Sequence, residues 1–69
     1  MIMYPTNLTL CKLREEKGYS QEFVAAQLGT SQSTYSRIES GQRPLKAKEL
    51  VAVSSLYNIS IDKLLDGGG

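Results

Sequence analysis

A chain of 69 residues has room for one domain and one small core, and with 41% apolar residues it is not compositionally disordered. The single cysteine, Cys11, excludes a disulfide framework and, with no histidine present, argues against a transition-metal site; no apolar run nears the roughly 18 residues that span a bilayer. The net charge of +1 names no partner, and the opening MIMYPTN lacks the basic and apolar stretches of a signal peptide, so a cytoplasmic protein without membrane contact is expected.

Caps and apolar periodicity predict five helices and no strand pair, an all-α chain. The first helix runs from about Asn7 to Lys17: Pro5 precedes it, Thr6 or Asn7 can cap it, and Leu10, Leu13 and Lys17 mark one face. Gly18 ends it. Ser20 caps the second helix, with Tyr19 and Val24 at the spacing of a hydrophobic staple. Val24, Ala25 and Leu28 form its inward stripe, and Gly29 stops it. Phe23 falls off that stripe and is expected to be exposed. Ser31 caps the third helix, which ends by Gly41. The fourth covers about Leu45 to Tyr57, with Leu50, Val53, Leu56 and Tyr57 facing the core and Asn58 as a left-handed cap. Ser60 caps a last short helix, with Ile59 and Leu64 at staple spacing. The domain spans 1–66, and the closing glycines, 67–69, read as a flexible tail.

The third helix separates two chemistries. At about 100° per residue, Gln32, Ser33, Ser36, Arg37 and Ser40 share one face, while Thr34, Tyr35 and Ile38 share the other. Tyr35 therefore belongs to the core. The outer face is short and polar and carries one long cation. Only Gly29 and Thr30 separate Leu28 from the Ser31 cap, and so short a joint makes the two helices cross steeply instead of running antiparallel. The helix then points its N-terminus outward, with open N–H groups and the positive end of its dipole. Charge gathers nearby: residues 30–48 hold Arg37, Arg43, Lys46 and Lys48 against Glu39, a net +3, whereas residues 1–29 sum to zero and 49–69 to −2.

Such a face suits base reading. Glutamine pairs bidentately with adenine, arginine with guanine, and serine can donate or accept at several base edges. Gln32, Ser33, Ser36 and Arg37 are the candidate base readers. Gln21, at the start of the preceding helix, is placed to meet a phosphate.

The segments LREEKG, SQ followed by LG and SQ, RIESG and LYNISIDKLL, in that order, resemble the lambda and 434 repressor and Cro type of helix-turn-helix domain, the XRE family of bacterial and phage regulators. The resemblance covers roughly Leu8 to Leu65. It implies a compact five-helix, lambda-repressor-like domain with the third helix in the major groove. It also implies that Gln21 and Gln32 act together, that Ser31 lies near the DNA backbone, and that Gln42, Arg43 and Lys46 grip phosphates. Arg14 and Glu39 match a pair that bridges helix one to the end of helix three, a structural salt bridge. Phe23 and the weakly basic GQRP loop depart from the pattern.

The function expected is a sequence-specific, DNA-binding transcriptional regulator, a repressor, on palindromic double-stranded DNA. One small helix reads too few bases for a unique site, so a homodimer on half-sites about 34 Å apart is expected. Ile59, Ile61, Leu64 and Leu65 either form its isologous contact or close the core over helix four. The rival is an antitoxin-type module that masks a partner protein and only secondarily binds DNA. Neither a cofactor, a metal nor a small-molecule ligand is expected. With no histidine and too little chain to enclose a pocket, an enzyme is not expected either.

Overall fold

The computed structural model describes residues 5–65, with side chains from Thr9 to Leu64, and places five helices in the order α1 (Pro5–Lys17), α2 (Gln21–Leu28), α3 (Gln32–Glu39), α4 (Ala47–Tyr57) and α5 (Ile61–Leu65). No described residue lies in a strand. The glycine tail expected at 67–69 falls outside the described residues.

Two helix starts differ from the sequence reading. α1 begins at Pro5, so Thr6 and Asn7 lie inside the helix instead of capping it. Proline suits a first helical position, where its missing N–H would have had no partner. α4 begins at Ala47, with Lys46 as its cap, and Leu45 precedes it. The cause is Glu49, whose carboxylate accepts the Lys46 N–H at 2.8 Å and fixes the first turn there. Leu45 and Leu50 flank that cap at staple spacing, and both pack against the core.

The other starts are capped by serine. Ser20 Oγ accepts from the Phe23 N–H at 3.0 Å, Ser31 Oγ from the Thr34 N–H at 3.2 Å, and Ser60 Oγ from the Lys63 N–H at 3.2 Å. Helix ends are equally defined. Past α2, the Gly29 N–H returns to the Ala26 carbonyl and the Thr30 N–H to the Ala25 carbonyl, at 3.1 and 3.0 Å. This pattern requires a left-handed residue, and Gly29 supplies it at φ +72°. Asn58 takes the same role after α4 at φ 53°.

α2 packs on α3 and α4, α1 on α3 and α5, and α4 on α5. Between them lie Leu10 of α1, Val24, Ala25 and Leu28 of α2, Tyr35 and Ile38 of α3, Val53 and Tyr57 of α4, and Leu64 of α5. Every helix thus contributes to one small core. Leu50 and Leu56, expected in it, are half-buried at its edge. Phe23 is 42% exposed and leans on the Tyr19 ring, centroids 4.7 Å apart; Val51, which the sequence did not single out, is 58% exposed. No described helix is long and apolar enough to cross a membrane.

Candidate nucleic-acid interface

α3 follows α2 through the Gly29–Thr30 joint and buries one side against it. Tyr35 and Ile38 are fully inside, which locks the helix in rotation as well as in angle. The opposite side is left to solvent. Gln32, Ser33 and Arg37 are exposed, and Ser36 is half-buried between them. Ser31 is exposed at the cap, where its hydroxyl also donates to Thr34 Oγ1 at 3.0 Å. The cap uses the Thr34 N–H and leaves those of Gln32 and Ser33 at the helix tip. Among the described residues, no ion pair or hydrogen bond engages the Arg37 guanidinium. Its backbone carbonyl accepts from the Ser40 hydroxyl at 3.1 Å and the Gln42 N–H at 2.9 Å.

Behind this face stands a buried ion pair. Arg14 Nε donates to Glu39 Oε2 at 2.6 Å and Nη2 to Oε1 at 3.2 Å, tying α1 to the last residue of α3. Arg14 Nη1 also donates to the Tyr19 carbonyl at 3.0 Å, just ahead of the α2 cap. Gln21 Nε2 donates to the same Glu39 Oε1 at 3.1 Å. Burial works to raise the Glu39 pKa, but hydrogen bonding from Arg14 first, then from the Tyr35 hydroxyl and Gln21, outweighs it and holds the carboxyl below the ordinary range. The same contact keeps Arg14 more firmly protonated than a free arginine. Gln21, expected to reach outward to phosphate, is half-buried with one amide N–H committed inward. The backbone N–H groups of Gln21 and Glu22, ahead of the capped turn, remain at the tip of α2.

The loop after α3 differs from its sequence reading. Arg43, expected to grip phosphate, is turned onto Glu49: Nη1 donates to Oε1 at 3.0 Å and Nη2 to Oε2 at 3.1 Å. Nη1 also donates to the Pro44 carbonyl at 3.0 Å. The reason is Glu49 itself, whose residue is 2% exposed and whose buried charge requires a partner. Burial would raise the Glu49 pKa; Arg43 and the Lys46 N–H bring it down instead. Sequence reasoning missed this pair. Its visible trace was a glutamate three residues beyond Lys46, the spacing of an N-terminal capping carboxylate. Gln42, Lys46 and Lys48 are exposed around it.

The apolar residues near the end of the chain separate as well. Leu64, a candidate dimer contact, is fully buried in the monomer core and presents no surface, because it fills the space between α1 and α4. Ile59 packs against the same core. Ile61 is half-buried, and the side chain of Leu65 lies outside the described residues. Among the described residues no histidine, cysteine and carboxylate cluster could hold a metal.

The comparisons agree with this geometry. The helix-turn-helix family profile matches residues 12–64, from within α1 to within α5. The HTH-type transcriptional regulator YqaE of Bacillus subtilis is 34% identical over 65 residues, covering 94% of this chain and 54% of that protein. The HTH-type transcriptional regulator AnsR, also of B. subtilis, is 36% identical over 56 residues, covering 81% of this chain and 48% of AnsR. The HTH-type transcriptional activator BcrR of Enterococcus faecalis is 36% identical over 61 residues, covering 88% of this chain and 30% of BcrR. The chain thus spans about half the length, or less, of these relatives. No solved structure matches it. A two-residue joint turned by a left-handed glycine, a capped helix with one polar face and one core face, and a profile match across nearly the whole described chain place the protein in the helix-turn-helix family of the lambda repressor and Cro type, the XRE family.

Proposed function

We propose that this chain is a sequence-specific DNA-binding domain that regulates transcription, with α3 seated in the major groove. The observation that carries the reading is the outer face of α3. Here Gln32, Ser33 and Arg37 stand exposed beside an open helix tip. Gln32 suits adenine, Arg37 suits guanine, and Ser33 and Ser36 are short enough to let the helix backbone approach the base edges. Phosphates are met by the N–H groups at the start of α2, by Ser31, and by Gln42 and Lys46 of the following loop. Arg43, paired with Glu49, leaves that set.

The domain acts as a homodimer on a palindrome, because one α3 reads too few base pairs to define a site. With Leu64 buried and Ile59 packed on the core, half-buried Ile61 is the described residue of the four left to form the isologous contact. Repression is the simplest outcome of occupying an operator. One relative is named an activator, so a reporter assay decides the sign. The rival, a module that masks a partner protein, rests on the exposed ring of Phe23, one side of which Tyr19 already covers.

Selection of bound sequences from a random pool of double-stranded DNA tests the proposal. An enriched palindrome with half-sites about 34 Å apart is expected. A pool that returns without enrichment, together with a copurifying protein, would move the reading to the rival.

A further inference from the structure

Glu39 ends α3, yet the hydrogen bonds it accepts from Arg14 and Gln21 come from α1 and α2. Its side chain is only 6% exposed. A carboxylate accepts and cannot donate, so the Gln21 carboxamide can meet it only through its N–H end. Of the two near-equal orientations open to a glutamine amide, this contact selects one. It does so at the first residue of α2, the place where the domain is read as meeting the phosphate backbone. Arg14, through the Tyr19 carbonyl, steadies the same corner from the other side.

We propose that Glu39 is a positioning residue for DNA binding: by holding the Gln21 carboxamide in one orientation, it pre-sets the face that the start of α2 turns to the DNA backbone. This rests on the DNA-binding reading above. The side chain is ordered when the protein folds, so its freedom is not lost again on binding. Glu39 touches no DNA in this account and acts only through Gln21.

The test is a double-mutant cycle on the selected operator with Glu39→Gln, Gln21→Leu and their combination, at a temperature where circular dichroism finds every variant folded. Glu39→Gln is expected to weaken binding about three- to tenfold. In the Gln21→Leu background the same change is expected to do nothing further. Losses that simply multiply overturn the proposal, because a purely structural glutamate would act whether or not Gln21 is present. Should Glu39→Gln not fold, Gln21→Asn leaves the Arg14–Glu39 pair in place but is too short to reach it. It is expected to bind as weakly as Gln21→Leu, and wild-type affinity there overturns the proposal. Failure of the wild type to select any DNA overturns the DNA-binding reading, and this inference with it; selective binding with multiplying losses overturns this inference alone.

Discussion

Arg43 and Glu49 meet through two parallel hydrogen bonds, of 3.0 and 3.1 Å, that join the loop after α3 to the first turn of α4. The glutamate is the buried partner: its side chain is 3% exposed, against 24% for the arginine. The loop is therefore held by charge from within the domain before any DNA arrives.

Removing one partner leaves the other stranded. Arg43→Ala should cost about 1–3 kcal/mol, the penalty for a buried group left unsatisfied, moderated here by the partial exposure of the arginine. Urea denaturation reads this as a lower midpoint. The double variant Arg43→Ala with Glu49→Gln should recover part of the loss. A midpoint equal to wild type in Arg43→Ala would deny the pair any structural role.

The same pair predicts how salt acts on DNA binding. A cation already neutralised by Glu49 displaces few counterions from DNA. Lys46→Ala should lower the slope of log K against log salt by about one, and Arg43→Ala should leave it nearly unchanged. The reverse pattern would return the phosphate contact to Arg43.

Arg37 should carry information instead of bulk affinity. Arg37→Ala should cost about 1–3 kcal/mol on the selected site and relax one base position, with random DNA affected less. Equal losses on both would make Arg37 a phosphate contact.

Acid and alkali should each unfold the domain through different residues. Glu39 and Glu49 both titrate below the ordinary glutamate value of 4.5 because hydrogen bonds outweigh their burial. Near that pH the unfolded chain binds more protons, so their stabilisation is complete above 4.5 and lost as the pH falls further. Tyr57, whose hydroxyl is buried with no hydrogen-bond partner among the described residues, and Tyr35, buried with its hydroxyl against Glu39, are pushed the other way. Burial, and then the nearby Glu39, raise Tyr57 to about 12 from an ordinary 10.0. Its stabilisation is complete below 10.0 and fades as the pH climbs toward 12. Melting temperature against pH should show a plateau with two falling limbs. Replacing both glutamates by glutamine should flatten the acid limb alone; a limb that persists belongs to other carboxylates.

Much of this domain was legible in its sequence because the relevant forces are local. Ser20, Ser31 and Ser60 cap helices by bonding backbone three residues on, and Gly29 stops α2 through its own dihedral angle. The polar and core faces of α3 follow from a period of about 3.6 residues. Side-chain pairing was less accessible: Arg14–Glu39, 25 residues apart, came only from the family resemblance, and Arg43–Glu49, six apart, did not come at all. Nothing local tells that Glu49 is buried, or that Arg43 is spent on it. Leu64 was correctly seen as apolar, but pattern alone does not divide a core residue from an interface residue, and only the packing of α5 on α1 and α4 does so.

Gly29 gives a direct check on the joint. A Cβ built there meets nothing within 4 Å, so any cost of Gly29→Ala comes from the backbone at φ +72°. That cost is about 1–2 kcal/mol, and Gly29→Asn should lose less because asparagine tolerates the left-handed region. If calorimetry finds the alanine variant as stable as wild type, the joint adopts another conformation.

Leu64 has one more consequence, in the order in which the chain is made. The helix proposed to read DNA, α3, is complete by Glu39, but the core it packs on also takes a fully buried side chain from residue 64. A ribosome has therefore synthesised all of α1 to α4 before the last piece of that core can emerge. Until then the nascent chain holds the proposed recognition residues without the complete core behind them. On the proposed reading, competence for DNA should therefore wait until α5 is free to close against α1 and α4.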